Sequence, residues 1–230
     1  MYQLFIGNKN YSSWSLRPWV LLRELQIPFE ERLETFESQG TFAKFRRFSP
    51  SGTVPCLVDG DARVWDSLAI VEYLAEQHAT VWPAERIARA WARSASAEMH
   101  SSFGALRNRC SMSCGVRIRL ASIPDDLRKN LARLSELWSA GLTRFGGPFL
   151  AGDRFTAVDA FYCPVAFRIQ TYGLELEAPA ADYAKRLLNL PSMRAWYAGA
   201  LAETARDWAH EDELRTAGEL TEDLRVPAQP

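Results

Sequence analysis

Hydroxyl side chains at a strand-to-helix turn are the first residues here whose spacing suggests chemistry. The run Asn10-Tyr11-Ser12-Ser13-Trp14-Ser15-Leu16-Arg17 follows a short apolar strand, Tyr2 to Ile6, and opens an amphipathic helix. The first N–H groups of a helix lack partners inside it, and the helix dipole adds positive potential there. Hydroxyls beside such donors can hold an anion, including a thiolate. Two further pairs follow at a distance, Val54-Pro55 and Asp66-Ser67. A proline cannot donate to a sheet ladder, so Pro55 belongs at a strand start or a special turn. Were the bond cis, the peptide groups of Val54 would turn outward, and an extended peptide could add to them as a strand. Statistics alone favour trans, since cis is about 5–6% of X–Pro bonds. Ser67 is a natural N-cap for a helix over 68–78, whose first N–H groups suit a carboxylate; a cap without a ligand is the plainer alternative. Thr156 and Asp159 resemble a capping box with Phe155 at the staple position, which is folding chemistry rather than catalysis.

Several elements must position these residues. Residues 1 to about 78 read as βαβ, a short helix or irregular segment over 41–48, then a hairpin and a helix. Asp59-Gly60-Asp61 marks the hairpin turn. Pro18 is expected in the first turn of the first helix, where its missing N–H costs little. After Val81-Trp82-Pro83 the pattern becomes helical, with no convincing strand. One long helix is expected over 85–110, an irregular stretch over 111–123, then helices over 125–145, 156–172, 182–188 and 192–202. The tail from about Glu203 is charged and expected to be partly helical with a loose end. The fold class is therefore an α/β N-terminal unit, residues 1–80, followed by an all-α unit, residues 86–230.

Composition bounds the function. The chain has 230 residues, is 47% hydrophobic and carries a net charge of −1, so it can bury a large core. That balance argues against nucleic acid or membrane as the main partner. No signal peptide and no apolar run of membrane-spanning length is visible, so a cytoplasmic location with reduced thiols is expected. Cys110 and Cys114 lack a second ligand pair, and the only histidines are His78, His100 and His210, so no metal site is expected. Cys56 reads as a small core residue rather than a nucleophile.

Taken in order, the serine pair, Val54-Pro55, Asp66-Ser67, the helical second half and the Thr156–Asp159 box resemble the cytosolic glutathione S-transferases over nearly the whole chain. The segments 48–55 and 65–74 match the N-terminal half of that family. Ser12-Ser13-Trp14-Ser15-Leu16-Arg17 is most similar to the Ser-Ser-Cys-x-x-Arg signature of the zeta class, which places the chain near a bacterial, serine-type, zeta-like group. Trp14 stands where that signature has cysteine, which argues against maleylacetoacetate isomerase activity. Asp66 stands where glutamate or glutamine is common.

The resemblance implies a thioredoxin-like fold for residues 1–80, with glutathione as co-substrate, and a helical domain bearing most of the pocket for a small electrophile. It also implies a homodimer. Ser12 is then the expected catalytic hydroxyl, with Ser13 second and Tyr11 third. Ser13, Trp14, Lys44, Val54, Pro55, Asp66 and Ser67 are the expected glutathione-binding residues, Lys44 reaching toward the glycyl carboxylate. Trp14, Phe103 and Arg107 are candidates for the electrophile pocket, although core packing explains Phe103 equally well. A thiol of pKa roughly 8.5 is mostly protonated at pH 7. A donated hydrogen bond and a helix N-terminus both favour its anion. Peroxidase, isomerase or dehalogenase chemistry on the same fold, and a non-enzymatic binding protein, are the competing expectations.

Overall fold

Strands β1 (Tyr2–Ile6), β2 (Phe29–Leu33), β3 (Cys56–Asp59) and β4 (Ala62–Trp65) form one mixed sheet in the order β2-β1-β3-β4. The computed structural model describes residues 1–37 and 40–228. β1 is interior because its alternate residues Leu4 and Ile6 are fully buried. It pairs in parallel with β2, from Tyr2–Phe29 to Ile6–Leu33, and antiparallel with β3. β3 and β4 form the expected hairpin, closed by the pair Asp59–Ala62. Gly60 in its loop has φ +58°, a conformation glycine adopts without cost.

Helix α1 (Ser13–Glu24) crosses from β1 to β2, α2 (Thr41–Phe45) precedes β3, and α3 (Ser67–Ala75) follows β4. Pro18 is the sixth residue of α1, past the first turn where the sequence places it. Its ring therefore removes an interior hydrogen bond to the Trp14 carbonyl. The Val54–Pro55 peptide is cis, the isomer that statistics alone disfavour.

The second half contains α4 (Arg86–Ser101), α5 (Gly104–Arg109), α6 (Asp125–Phe145), α7 (Ala157–Tyr172), α8 (Ala180–Leu188), α9 (Pro191–Ala202) and α10 (Trp208–Ala217). α7 is apolar on nearly all sides, and accordingly it is the buried axis against which α1, α4 and α8 pack. Asp159 holds its start: Oδ2 accepts from the Thr156 N–H at 2.9 Å, and Oδ1 from the Leu150 N–H at 3.0 Å and the Tyr183 hydroxyl at 2.7 Å. Burial raises the Asp159 carboxyl to about 6, against the pull of those donors.

Two expectations for this half need correction. The single helix over 85–110 is broken: Ser102 is extended and Phe103 has φ +58°, so α5 leaves in a new direction. The turn carries the Phe103 ring into the core, where it is 4% exposed. The second correction concerns strands. Val116–Leu120 is β5, and it pairs antiparallel with β6 (Gly218–Asp223), drawn from the charged tail. β5 alternates apolar residues with Arg117 and Arg119, and β6 sets Glu222 and Glu219 opposite those arginines. This strand pair is appended to the helical domain, and the overall class stands: a thioredoxin-like N-terminal domain with a helical C-terminal domain. Residues 229–230 of the expected loose end lie outside the described residues.

Candidate active site

The turn between β1 and α1, the Val54–Pro55 turn and the start of α3 converge on one cleft of about 650 Å³. That size suits a small ligand. Ser12, Ser13, Trp14, Val54, Pro55, Asp66, Ser67 and Arg107 all line it, so the structure brings together most of the residues singled out by sequence. Two expected residues are elsewhere. Lys44 is drawn to Glu37 at 3.0 Å and Glu34 at 3.4 Å and donates to the Thr35 carbonyl at 3.1 Å, so neighbouring carboxylates hold it away from the cleft. Phe103 belongs to the core.

The three candidate hydroxyls differ in their bonding. Tyr11 donates to Glu211 Oε1 at 2.6 Å and accepts from Arg225 Nη1 at 3.2 Å. Burial and the Glu211 bond push its phenol well above the ordinary range. Its proton is thus committed to the C-terminal arm. Ser12 ends the turn before α1; its Oγ donates to Ser15 Oγ at 2.7 Å, and Ser15 Oγ accepts from the Gly7 N–H at 3.1 Å. Ser13 Oγ accepts from Arg168 Nη2 at 3.4 Å. Both serines are buried at the cleft floor.

The opposite pole of the cleft is built for polar groups as well. Asp66, rather than Ser67, is the N-cap of α3: it has φ +74°, and Oδ1 accepts from Leu68 N–H at 2.8 Å. Ser67 is the first helical residue and its Oγ accepts from Arg17 Nη1 at 3.2 Å. The peptide groups of Val54 make no hydrogen bond among the described residues.

Among the lining residues that sequence reasoning missed, four polar ones come from the second half. Arg168, on α7, donates to the Cys110 carbonyl at 3.0 Å. Ser111 donates to Glu213, and both face the cleft. His210 stacks between the Tyr11 ring at 5.0 Å and the Phe36 ring at 5.5 Å, and its Nδ1 is bound to Asp207. Arg168 sits in an apolar helix after the capping box, and only that lone charge in a buried stretch could have marked it. The four cysteines are free and buried. Among the described residues, no group of three or more His, Cys, Asp or Glu side chains is placed to hold a metal ion.

Known proteins share this arrangement of domains. Residues 11–77 match the family model described as glutathione S-transferase, N-terminal domain, and residues 84–199 the corresponding C-terminal domain. The chain belongs to the glutathione S-transferase family. Among curated proteins, glutathione S-transferase 1 of Dianthus caryophyllus is 25% identical over 182 residues, covering 76% of this chain and 80% of that one. A probable maleylacetoacetate isomerase of Vibrio cholerae is 24% identical over 200 residues, covering 79% and 89%. The fold is similar to that of a glutathione transferase homologue from Burkholderia gl BGR1, solved with bound glutathione. The TM-score is 0.65 at 22% identity, over 86% of this chain and 97% of that one.

Proposed function

We propose that this protein is a glutathione transferase in which the Ser12 hydroxyl stabilises the glutathione thiolate for attack on a small electrophile. The observation that carries this reading is the placement of Ser12, the unpaired Val54 peptide and the Asp66–Ser67 helix start on one cleft. Glutathione supplies the nucleophilic sulfur. The chain supplies the rest. Val54 offers an N–H and a C=O to an extended peptide. The start of α3, with Ser67, offers donors to an α-carboxylate, and the second oxygen of Asp66 suits an ammonium group. Ser12 turns its hydrogen from Ser15 toward the sulfur, while the start of α1 adds positive potential. Each pKa unit of thiol depression corresponds to about 1.4 kcal/mol, which one charge-assisted hydrogen bond can supply.

In this reading residues 1–80 bind glutathione, and residues 86–230 provide the electrophile pocket through Arg107, beside Trp14 at the mouth of α1. The free cysteines fit a reducing cytoplasm, and a homodimer is proposed from the family, to be checked by sedimentation. A second reading, a glutathione-dependent isomerase, is favoured by the likeness to the Vibrio cholerae protein and opposed by Trp14 at the zeta cysteine position.

Ser12→Ala is expected to lower the conjugation rate about 10- to 100-fold, the effect of losing one bond of ~1.5–3 kcal/mol. Unchanged kinetics would reject Ser12. Rates on an aryl halide, an organic peroxide and a cis-enone diacid separate the transferase from its alternatives. A glutathione-dependent rise in melting temperature reports binding directly, and no rise at millimolar glutathione would reject the reading.

A further inference from the structure

Three arginines surround the cleft floor where it meets the helical domain. Arg17 is 2% exposed and Arg168 is 5% exposed, and Arg107 is half-buried. None of the three forms an ion pair with a carboxylate among the described residues. Their partners are neutral: Ser67 for Arg17, the His100 carbonyl for Arg107, and Ser13 with the Cys110 carbonyl for Arg168. The Nε–H groups of Arg17 and Arg168 are buried without a partner among the described residues. The Trp14 ring is close to two of these cations, 4.2 Å from Arg17 and 4.7 Å from Arg107.

The two carboxylates that line the cleft, Asp66 and Glu213, have partners other than these arginines. Asp66 caps α3 and sits 3.6 Å from His100, and Glu213 accepts from Ser111. Burial lowers Arg17 to about 9, with repulsion from Arg107 and Arg168 adding to it. A cluster of like charges in a partly dry site is costly unless an anion enters it. Arg107 and Arg168 both reach the cleft, from α5 and α7, and both lie on the helical side, next to Trp14 and Ser13. Guanidinium forks match carboxylate geometry.

We infer that Arg107 and Arg168 form a subsite for a carboxylate on the electrophile, so that the preferred second substrates are organic acids. This rests on the transferase reading and names the substrate class of the same cleft. The neutral alternative predicts no preference between an acid and its amide.

The test compares 4-chloro-3-nitrobenzoate with 4-chloro-3-nitrobenzamide. In both, the sulfur–carbon bond forms and the carbon–chlorine bond breaks; chloride leaves with its electron pair and the thiol proton goes to solvent. Each kcat/KM is divided by the uncatalysed rate with glutathione. The expected ratio of acid to amide is tenfold or more, falling at least tenfold in Arg107→Gln and in Arg168→Gln. A ratio near one, or one that the variants leave unchanged, overturns the inference. If the arginines instead hold a carboxylate of glutathione itself, the variants weaken glutathione binding tenfold or more without changing the ratio, which also overturns it. Should neither halide react, the transferase reading fails on these substrates, and the affinities of the two matching glutathione conjugates decide the inference. Tighter binding of the acid conjugate, lost in Arg107→Gln, supports it; equal binding rejects it. Arg107 is half-exposed, so its variant is expected to fold even if Arg168→Gln does not.

Discussion

Arginines serve opposite purposes in two regions of this molecule. At the C-terminal arm, Arg225 binds Glu211 and Asp223 and donates to the Tyr11 hydroxyl. Burial alone would lower its guanidinium, but the bonds to Asp223 and Glu211 raise it above the ordinary range. Near α7, Arg17, Arg107 and Arg168 have no such carboxylate partners among the described residues, and burial lowers all three. The first cluster closes its charges within the chain and fastens the arm to the β1–α1 turn. The second leaves its charges open toward the cleft. An internally paired arginine is a fold device, whereas an unpaired buried one is available to a ligand.

This difference can be broken directly. Arg225→Met is expected to destabilise the protein by about 3–5 kcal/mol, because it strands the buried Glu211 carboxylate. Equilibrium denaturation measures it, and a loss below about 1 kcal/mol would remove the distinction.

Acid should loosen the same arm. Burial pushes the Glu211 carboxyl up, but the Arg225 and Tyr11 hydrogen bonds and the Arg225 charge outweigh it and leave it low; Asp223 is low chiefly through its Arg225 bond. A carboxyl depressed in the folded state contributes stability above its unfolded pKa, about 4, and loses it as pH falls through the folded value. Amide exchange in residues 207–226, corrected for the intrinsic pH dependence, is therefore expected to show lower protection at pH 3 than at pH 7. Equal protection would contradict the role given to the arm.

The smallest effect belongs to the open cluster. Arg168→Met removes an uncompensated charge together with its bonds to the Cys110 carbonyl and to Ser13 Oγ, so the gain and the losses offset and stability should change by no more than about 1 kcal/mol in either direction. A loss near that of Arg225→Met would show that the two regions do not differ.

How far the sequence anticipates this site follows from how local each signal is. Ser12-Ser13, Val54-Pro55 and Asp66-Ser67 can be singled out in the sequence because turns and helix starts have short-range signatures, and they line one cleft. The Thr156–Asp159 box is local for the same reason. Lys44 fails because its fate depends on Glu34 and Glu37 packed beside it. The charged arm is harder still: Glu211 and Arg225 meet Tyr11 across more than half the chain, and no spacing rule connects them. β5 left a faint trace in the alternation of Val116, Ile118 and Leu120 with arginines, but its partner lay in the tail. Arg168 could be recognised as open rather than paired only once its neighbours were known.

The proposed catalysis in this cleft requires a thiol made acidic beside Ser12. Titration of the ultraviolet absorbance of enzyme-bound glutathione, in the wild type and in Ser12→Ala, measures that acidity without an electrophile. A wild-type thiol pKa at least about one unit below 8.5, returning toward that value in the variant, is the predicted result. Bound glutathione that stays protonated at neutral pH, or a depression that Ser12→Ala leaves intact, would contradict it.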